Sequence, residues 1–316
     1  MTPVLVAVLA AAAPCVYWTQ SIESRAALQS AGVAKICVAP EQVDTWRAAG
    51  FIAVPITDAE LSSRQELPAP GVTARAGLAS PTRSPWIVAS GWRMMRGPGA
   101  KYLYRVPAGK GALALAEAIA YGGDAVLSIE PADLANVGAM MAFFAEVPAV
   151  DLPAVADFAV IDDGSPVTGE VMNLLVRRNL LFQIVQTPAA RFRLNIKIGT
   201  PEYPREEAAD PSAFALKIRN QLTDDQRSLR VYGSEVVIGR LTGDAAHVRL
   251  HLLNYGGRDI EGLRVRVRGR YRSGEAHVAG AGVVALADSI ATDDATEFSI
   301  PRLATYAVID LNIEKP

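Results

Sequence analysis

The sequence predicts an α/β region built on a parallel sheet, followed by an all-β sandwich. Up to about residue 198, short apolar segments alternate with Ala-rich segments of helical composition. Beyond it, short segments of alternating polarity dominate. With 316 residues, of which 50% are hydrophobic, the chain is long enough for two ordinary cores.

The first part of the chain repeats a strand-helix-strand pattern with short connections. This predicts neighbouring parallel strands and right-handed crossovers, in a sheet that is partial barrel-like or flavodoxin-like. Residues 62–85 contain several prolines, and we interpret them as a loop. The predicted strands lie at residues 15–18, 35–38, 51–55, 86–90, 125–129, 158–161 and 180–185, and the predicted helices at 22–30, 40–49, 109–121, 131–144 and 167–178.

The second part contains short strands at the spacing of a sandwich. Residues 247–258 and 262–271 predict two alternating strands joined by a Gly-containing turn as a β-hairpin. The arginines at positions 264, 266, 268 and 270 share one face of the second strand, which we expect to be solvated rather than an anion site. The predicted domains are residues 14–198 and 199–316, with a subdivision near residue 150 as an alternative.

Residues 1–13 are apolar and end in small residues, which predicts a secretory signal peptide. The alternative is a first buried strand. Export makes the protein secreted or periplasmic, and the alternative location is cytoplasmic. The stretch is too short to span a bilayer, so we expect no integral membrane span. Cys15 and Cys37 are compatible with one disulfide or with two buried thiols.

Charge and motifs argue against several classes of function. The formal net charge of −2 gives little support to nucleic-acid binding. No phosphate-binding or dinucleotide-binding glycine motif is present, so we expect no cofactor. All three histidines, His247, His251 and His277, fall in the β half, and we expect no metal site.

Acidic and aromatic residues follow several predicted strands of the α/β region, where such folds place their sites. Two acids suit glycoside chemistry as acid and nucleophile or base, and indole rings stack on sugars. The predicted catalytic residues are Glu130 and Asp162, and the predicted saccharide-binding residues are Trp18, Gln20, Trp92, Arg93 and Asp163.

Each of these residues also has a structural interpretation. Asp162 and Asp163 are typical of an Asx turn that caps the next helix, and Glu130 before Pro131 is typical of a helix start. Trp18 and Trp92 are compatible with core positions. We expect Glu117, in the middle of its predicted helix, to be solvated.

Two pairs of segments carry a resemblance to a known family. Residues 232–238 (YGSEVVI) and 250–257 (LHLLNYGG) resemble the C-terminal β-sandwich of bacterial glycoside hydrolases. Residues 158–165 (FAVIDDGS) and 173–182 (NLLVRRNLLF) resemble the amidotransferase-like domain of β-galactosidase-type enzymes. The resemblance implies a glycoside-hydrolase-related protein, although too few residues precede it for a full eight-stranded catalytic barrel.

Three functions therefore compete. The first is a saccharide-binding or accessory protein that has lost catalysis. The second is an active glycosidase that uses Glu130 and Asp162, whose carboxyl groups must then lie about 5 to 10 Å apart. The third is a structural protein that forms homo-oligomers through its α/β region.

Overall fold

The computed structural model describes residues 14–73, 86–272 and 274–313. These residues divide into two compact units, 14–71 with 97–148, and 72–96 with 149–313. The predicted signal peptide, residues 1–13, lies outside the described residues. No described helix is long and apolar enough to cross a membrane.

The first unit is a six-stranded parallel sheet covered by helices. Its strands are β1 (Cys15–Tyr17), β2 (Lys35–Val38), β3 (Ile52–Pro55), β4 (Gln65–Leu67), β7 (Lys101–Arg105) and β8 (Asp124–Ser128). Its helices are α1 (Arg25–Ala31), α2 (Val43–Ala48), α3 (Asp58–Ser63), α5 (Gly111–Tyr121) and α6 (Leu134–Glu146). The parallel α/β prediction is confirmed, and the strand-helix-strand order follows the alternation of apolar and Ala-rich segments.

The strand order of this sheet is β3-β2-β1-β8-β7-β4. The steps from β1 to β3 and from β7 to β8 therefore run in the same direction across the sheet. Right-handed crossovers in one direction place their helices on one face, and α6 packs beside both α1 and α5. The sheet is thus singly wound and resembles part of a barrel, rather than a doubly wound flavodoxin-like sheet.

The other face of this sheet carries a small apolar cluster that includes Leu103, Val126 and a disulfide. Cys15 and Cys37, on the adjacent strands β1 and β2, form this bond with a Cα–Cα distance of 5.7 Å. Both cysteines are buried. The sequence left open a disulfide or two buried thiols, and the structure has the disulfide.

Glu117 corrects one expectation. It lies in the middle of α5 but is fully buried, and its carboxylate accepts a 2.5 Å hydrogen bond from the hydroxyl of Tyr104 on β7. The expectation of a solvated side chain was wrong because α5 is covered on nearly all sides, as its buried neighbours Ala116 and Ala118 show. A buried polar group of this kind requires such a partner.

The second unit begins with a small α/β portion. It contains β5 (Gly71–Thr73), β6 (Trp86–Val88), α4 (Gly91–Arg96), β9 (Phe158–Ile161), α7 (Pro166–Arg177), β10 (Phe182–Val185), β11 (Asn195–Ile196) and α8 (Pro211–Leu222). Strands β10, β9 and β11 form a parallel sheet in that order. The sheet presents the carboxyl end of β9 next to the start of α7.

The remainder of this unit is a β-sandwich, as predicted. One sheet has the order β12-β15-β19-β18, and the other has the order β13-β14-β20-β16-β17. The strands are β12 (Leu229–Tyr232), β13 (Val237–Gly243), β14 (His247–Asn254), β15 (Ile260–Arg268), β16 (Glu275–Val278), β17 (Gly282–Ala285), β18 (Ala287–Ala291), β19 (Ala295–Leu303) and β20 (Tyr306–Asn312).

The predicted hairpin between β14 and β15 was wrong. β14 pairs with β13 and β20, whereas β15 pairs with β12 and β19, so the turn crosses from one sheet to the other. Both strands point apolar side chains into the same core, among them Leu250 and Val265. Facing sheets bury these side chains against each other, which edge-to-edge pairing does not do.

The arginines of β15 form ion pairs that the sequence did not indicate. Arg264 pairs with Glu297 at 3.2 Å, and Arg266 pairs with Asp294 at 2.9 Å. Arg266 is buried, while Arg268 is exposed. The outer face of this sheet therefore carries ion pairs between neighbouring strands rather than uniformly solvated cations.

The predicted domain limit at residue 198 falls inside the second unit. The units meet in sequence at residues 71/72, 96/97 and 148/149, and the last of these lies near the alternative subdivision. Contacts with the sandwich explain why the second α/β portion belongs to that unit. Leu181 is part of the sandwich core. The Asn179 side-chain amide donates to the Val237 carbonyl at 3.0 Å and accepts from the Gly239 amide at 2.6 Å.

Candidate functional site

The carboxyl edge of the first unit collects three of the predicted residues. Strands β1 and β8 pair in parallel with Val16 opposite Leu127. The segments that follow them, with Trp18 and Gln20 on one side and Glu130 on the other, therefore emerge at the same edge of the sheet. We call this region the β8 edge.

Trp18 lies under this edge rather than on it. It is 5% exposed, and its indole Nε1 donates to the Ser24 hydroxyl at 2.9 Å. Little of the indole face is left for a sugar ring. Gln20, two residues later, is exposed. The structural interpretation of Trp18 therefore describes its environment better than a stacking platform does.

Glu130 is exposed and precedes a 3-10 turn, Pro131–Asp133, but its side chain makes no capping hydrogen bond. The structural role falls instead to Asp133, which is buried. Its carboxylate accepts the backbone N–H groups of Gly109, Lys110 and Gly111 at 2.5, 3.1 and 2.8 Å. This carboxylate ties the loop after β7 to the loop after β8, so the β8 edge is held rigidly while Glu130 stays exposed.

The turn after β9, residues 162–165, has a different character, and we call it the β9 turn. Arg96, at the end of α4, donates from Nε to Oδ2 of Asp162 at 2.8 Å and from Nη2 to Oδ1 at 2.7 Å. The amide of Gly164 also donates to Oδ1 at 3.0 Å. Both oxygens of Asp162 are thus held in a bidentate ion pair.

The ionisation of Asp162 follows from these contacts. Burial by itself raises the pKa of its carboxyl, but the hydrogen bonds from Arg96 and Gly164 outweigh burial and hold the pKa below its ordinary value. A carboxylate of this kind accepts hydrogen bonds and does not carry a proton near neutral pH.

Asp163 completes the predicted turn. Its carboxylate accepts the Ser165 amide at 2.9 Å and pairs with Arg205 at 3.1 Å. Burial acts to raise its pKa, but the hydrogen bonds from Ser165, Thr168 and Arg205 lower it well below the ordinary value. Ser165 then caps α7 by accepting the Thr168 amide at 3.2 Å.

Trp92 and Arg93 lie on α4, which packs on α7, the helix that follows the β9 turn. Trp92 is 7% exposed, and a Cβ added at Gly169 on α7 would lie 3.0 Å from its ring. The Arg93 guanidinium carbon lies 4.3 Å from the Trp92 ring centroid. Gly169 therefore permits close packing of α4 on α7, which brings Arg96 to Asp162.

The structure distributes the predicted residues over both units. Trp18, Gln20 and Glu130 belong to the first, and the others, Trp92, Arg93, Asp162 and Asp163, belong to the second.

The sequence did not reveal Arg96 as the partner of Asp162. The available signal was the spacing of Trp92 and Arg96, four residues apart on one short helix and therefore on the same face.

The histidines are engaged within the sandwich. His247 Nε2 lies 2.9 Å from Asp310 Oδ1, and His251 Nδ1 lies 2.5 Å from the Tyr306 hydroxyl. Burial, with Arg240 and Arg249 nearby, lowers the pKa of His251 to about 3. Within the described part of the chain, no three His, Cys, Asp or Glu residues are grouped so that they could hold a metal ion.

The sequence matches no protein-family model and no curated protein. Among solved structures, the fold is similar to that of alpha-L-fucosidase isoenzyme 2 from Paenibacillus thiaminolyticus, with a TM-score of 0.54 and 9% identity over 83% of this chain and 68% of that one. This identity supports a likeness of fold alone.

Two further similar structures are beta-galactosidases. One, a catalytic mutant of a GH42 enzyme from G. stearothermophilus, has a TM-score of 0.39 and 8% identity over 77% of this chain and 53% of that one. The other, from Rahnella sp. R3, has a TM-score of 0.37 and 9% identity over 64% and 51%. The chain spans about two thirds of the fucosidase and about half of each galactosidase. The likeness to the fucosidase shows that the fold of this chain is glycoside-hydrolase-like.

Proposed function

We propose that this protein is an exported, glycoside-hydrolase-like protein that binds a saccharide without hydrolysing it. The observation that carries the proposal is the bidentate ion pair between Arg96 and Asp162. It removes one member of the carboxylate pair that sequence reasoning assigned to catalysis.

Neither catalytic role suits a carboxylate held in this way. A general acid must carry a proton at the working pH, whereas the pKa of Asp162 is lowered. A nucleophile or base must direct a free oxygen at the sugar carbon or at water. Both oxygens of Asp162 already accept hydrogen bonds from Arg96, so either role would require breaking the ion pair first.

The β8 edge supports the saccharide-binding part of the proposal. The amide of Gln20 donates and accepts hydrogen bonds, and the carboxylate of Glu130 accepts them, which suits sugar hydroxyl groups. Both side chains are exposed at one edge of a parallel sheet, and Asp133 fixes the adjoining loop. The likeness to a fucosidase fold adds an analogy of architecture.

The disulfide supports export. Structural disulfides persist in oxidising compartments and are rare in the cytosol of most organisms. The buried bond between Cys15 and Cys37 therefore favours a secreted or periplasmic protein over the cytoplasmic alternative. Mass spectrometry of the protein isolated from its native source under thiol-blocking conditions tests this. Recovery with both cysteines blocked as free thiols would contradict export.

A glycan panel tests the binding proposal. Thermal unfolding of the full chain is recorded with each saccharide, because a ligand that binds only the folded state raises the unfolding temperature. We expect stabilisation by at least one saccharide, its loss in the Gln20→Ala/Glu130→Ala variant, and its retention in Glu146→Ala, which removes an exposed acid at the end of α6. Stabilisation that survives the double substitution contradicts binding at the β8 edge.

A second assay distinguishes the active-glycosidase alternative. The full chain is incubated with nitrophenyl glycosides of the saccharides that stabilise it, and release of nitrophenol is followed. We expect no release above the uncatalysed rate. Release that disappears in both Glu130→Gln and Asp162→Asn would overturn the non-hydrolytic proposal and restore the carboxylate pair.

A further inference from the structure

Three arginines of the second unit, Arg219, Arg227 and Arg230, share the carboxylate of a single aspartate, Asp224. We call them, together with the adjoining Arg178, the arginine cluster. The distances from the oxygens of Asp224 are 3.8 Å to Arg219 Nη2, 3.5 Å to Arg227 Nη1 and 3.1 Å to Arg230 Nη2. Arg178 follows α7, and its backbone carbonyl accepts from Arg227 Nη2 at 3.3 Å. The guanidinium of Arg178 donates from Nη2 to the Ser212 hydroxyl at 3.1 Å.

Asp224 satisfies these guanidinium groups poorly. Charge-assisted N–H···O bonds are normally about 2.7 to 2.9 Å long, and the Arg96–Asp162 and Arg249–Asp310 pairs of the same unit have such distances. All three contacts of Asp224 are longer. One carboxylate with two oxygens is insufficient for three guanidinium groups.

Burial increases the need for a further acceptor. Arg227 is 6% exposed, and its Nε has no hydrogen-bond partner within the part of the chain that the structure describes. The buried Nε of Arg178 likewise has no hydrogen-bond partner among the described residues. Leaving a buried donor of a cation unpaired is costly.

The local electrostatics agree with this geometry. Burial lowers the pKa of the Arg178 and Arg227 guanidinium groups, and the positive charge of Arg219 lowers both further. Asp210 and Glu235 act on Arg178 in the opposite direction, but Asp210 is already used as the cap of α8, accepting the amides of residues 212 and 213. Repulsion between the arginines is therefore only partly compensated.

The backbone before Asp224 is strained. Thr223 ends α8 with φ 56° and ψ 162°, a conformation that is rare and unfavourable for a β-branched residue. This turn directs the chain so that Asp224 follows at once beside the arginines. The aspartate is 43% exposed, so it can move aside.

We propose that the arginine cluster binds a tetrahedral oxyanion, sulfate or phosphate, and that Asp224 occupies its place when no ligand is bound. Guanidinium groups match the geometry of such anions and donate two parallel hydrogen bonds to them. An anion with four oxygens offers Arg219, Arg227 and Arg230 more acceptor positions than the two oxygens of Asp224 do. The anion is either free or an ester group on a sugar.

Calorimetric titration of the full chain tests the proposal. Sodium sulfate and sodium phosphate are titrated at an ionic strength held constant with sodium chloride, so that general screening is excluded. We expect saturable binding of at least one anion and about a tenfold weaker affinity in Arg219→Gln, which removes a half-exposed cation. Arg302→Gln is the matched control, because Arg302 is an exposed arginine with one carboxylate partner, Asp259. It should bind as the wild type does.

Asp224→Asn provides a second test. It keeps the size of the side chain and removes the competing negative charge, so the affinity for the anion should rise several-fold. An unchanged or weaker affinity contradicts the role given to Asp224. A merely structural ion pair predicts no gain of binding from this substitution.

A glucose phosphate ester and a glucose sulfate ester distinguish the source of the anion. Tighter binding of an ester than of the inorganic ion identifies a modified sugar as the ligand, and equal binding identifies the free ion. The absence of saturable binding for all four probes, or equal affinity in wild type and Arg219→Gln, overturns the proposal. Because the arginine cluster shares no residue with the β8 edge, this outcome is independent of the glycan panel.

Discussion

The β8 edge and the β9 turn begin from the same sequence pattern and end in opposite situations. Each places an acidic residue within two residues of the end of a buried parallel strand. Glu130 stays exposed, whereas Asp133 at the same edge accepts the backbone amides of Gly109 and Gly111. Asp162 is held by Arg96, which comes from a segment 66 residues earlier. An acid at a strand end is therefore available for ligands only if no distant cation is brought to it.

Removal of Asp162 should have the largest effect on this comparison. Asp162→Ala leaves Arg96, whose side chain is 21% exposed, without its carboxylate partner, although Nη2 keeps its hydrogen bond to the Ser165 carbonyl. The substitution should also loosen α4 from α7. We expect the free energy of unfolding to fall by about 2 kcal/mol, below the range for fully buried pairs because this pair is partly solvated. Urea unfolding measures the loss. A loss of less than about 0.5 kcal/mol, the range of ordinary surface substitutions, would contradict the assignment.

Gly169→Ala should have a smaller effect. The added Cβ would lie 2.8 Å from Arg96 Nη1 and 3.0 Å from the Trp92 ring. The crowding should lower the free energy of unfolding by about 1 to 3 kcal/mol. The higher helix propensity of alanine partly offsets this, so we expect a net loss of about 1 kcal/mol. In the Asp162→Ala background Arg96 is no longer held by the bidentate ion pair, so the loss measured by urea unfolding should shrink. Equal losses in both backgrounds would show that crowding does not act through Arg96.

The pH dependence of stability sharpens the comparison further. Since the folded pKa of Asp162 is lowered, the unfolded chain takes up its proton at a higher pH than the folded chain does. The stabilisation is complete above about pH 4 and is lost as the pH falls through the folded pKa. We expect the wild type to lose more stability than Asp162→Asn between about pH 5 and about pH 2. Parallel pH profiles of the two proteins in urea unfolding would contradict this.

Glu130→Gln should have the smallest effect on stability. The Glu130 side chain is exposed and makes no capping hydrogen bond, so the free energy of unfolding should change by less than about 0.5 kcal/mol. Thermal and urea unfolding check this. Destabilisation similar to that of Asp162→Ala would mean that the two acids do not differ in structural role.

The sequence predicted the elements of the fold better than their partners. Alternation of apolar and Ala-rich segments was sufficient for the parallel sheet, because strand and helix periodicity are local. The strand Lys101–Arg105 and the helix Gly91–Arg96 were missed between glycines and prolines, since both are short. Alternating polarity located β14 and β15 but did not reveal that they join different sheets.

The candidate site shows the same limit. The Asx turn at Asp162 and Asp163 could be predicted, because it depends on neighbouring residues. The ion pair to Arg96 could not, because it depends on how α4 packs on α7. Likewise, the burial of Trp18 and of Glu117 follows from tertiary packing. Residue type and position at a strand end predicted the candidate site residues. Long-range contacts decided which of these side chains is available for a ligand.

A double-mutant cycle of Arg96→Ala and Asp162→Ala tests the central claim most directly. The coupling free energy is obtained from urea unfolding of the wild type, both single variants and the double variant. The account predicts coupling of about 1.5 to 2 kcal/mol, as for a well-formed, partly buried bidentate pair. Additive effects, with coupling below about 0.3 kcal/mol, would mean that Asp162 is not committed to Arg96 and remains free for catalysis.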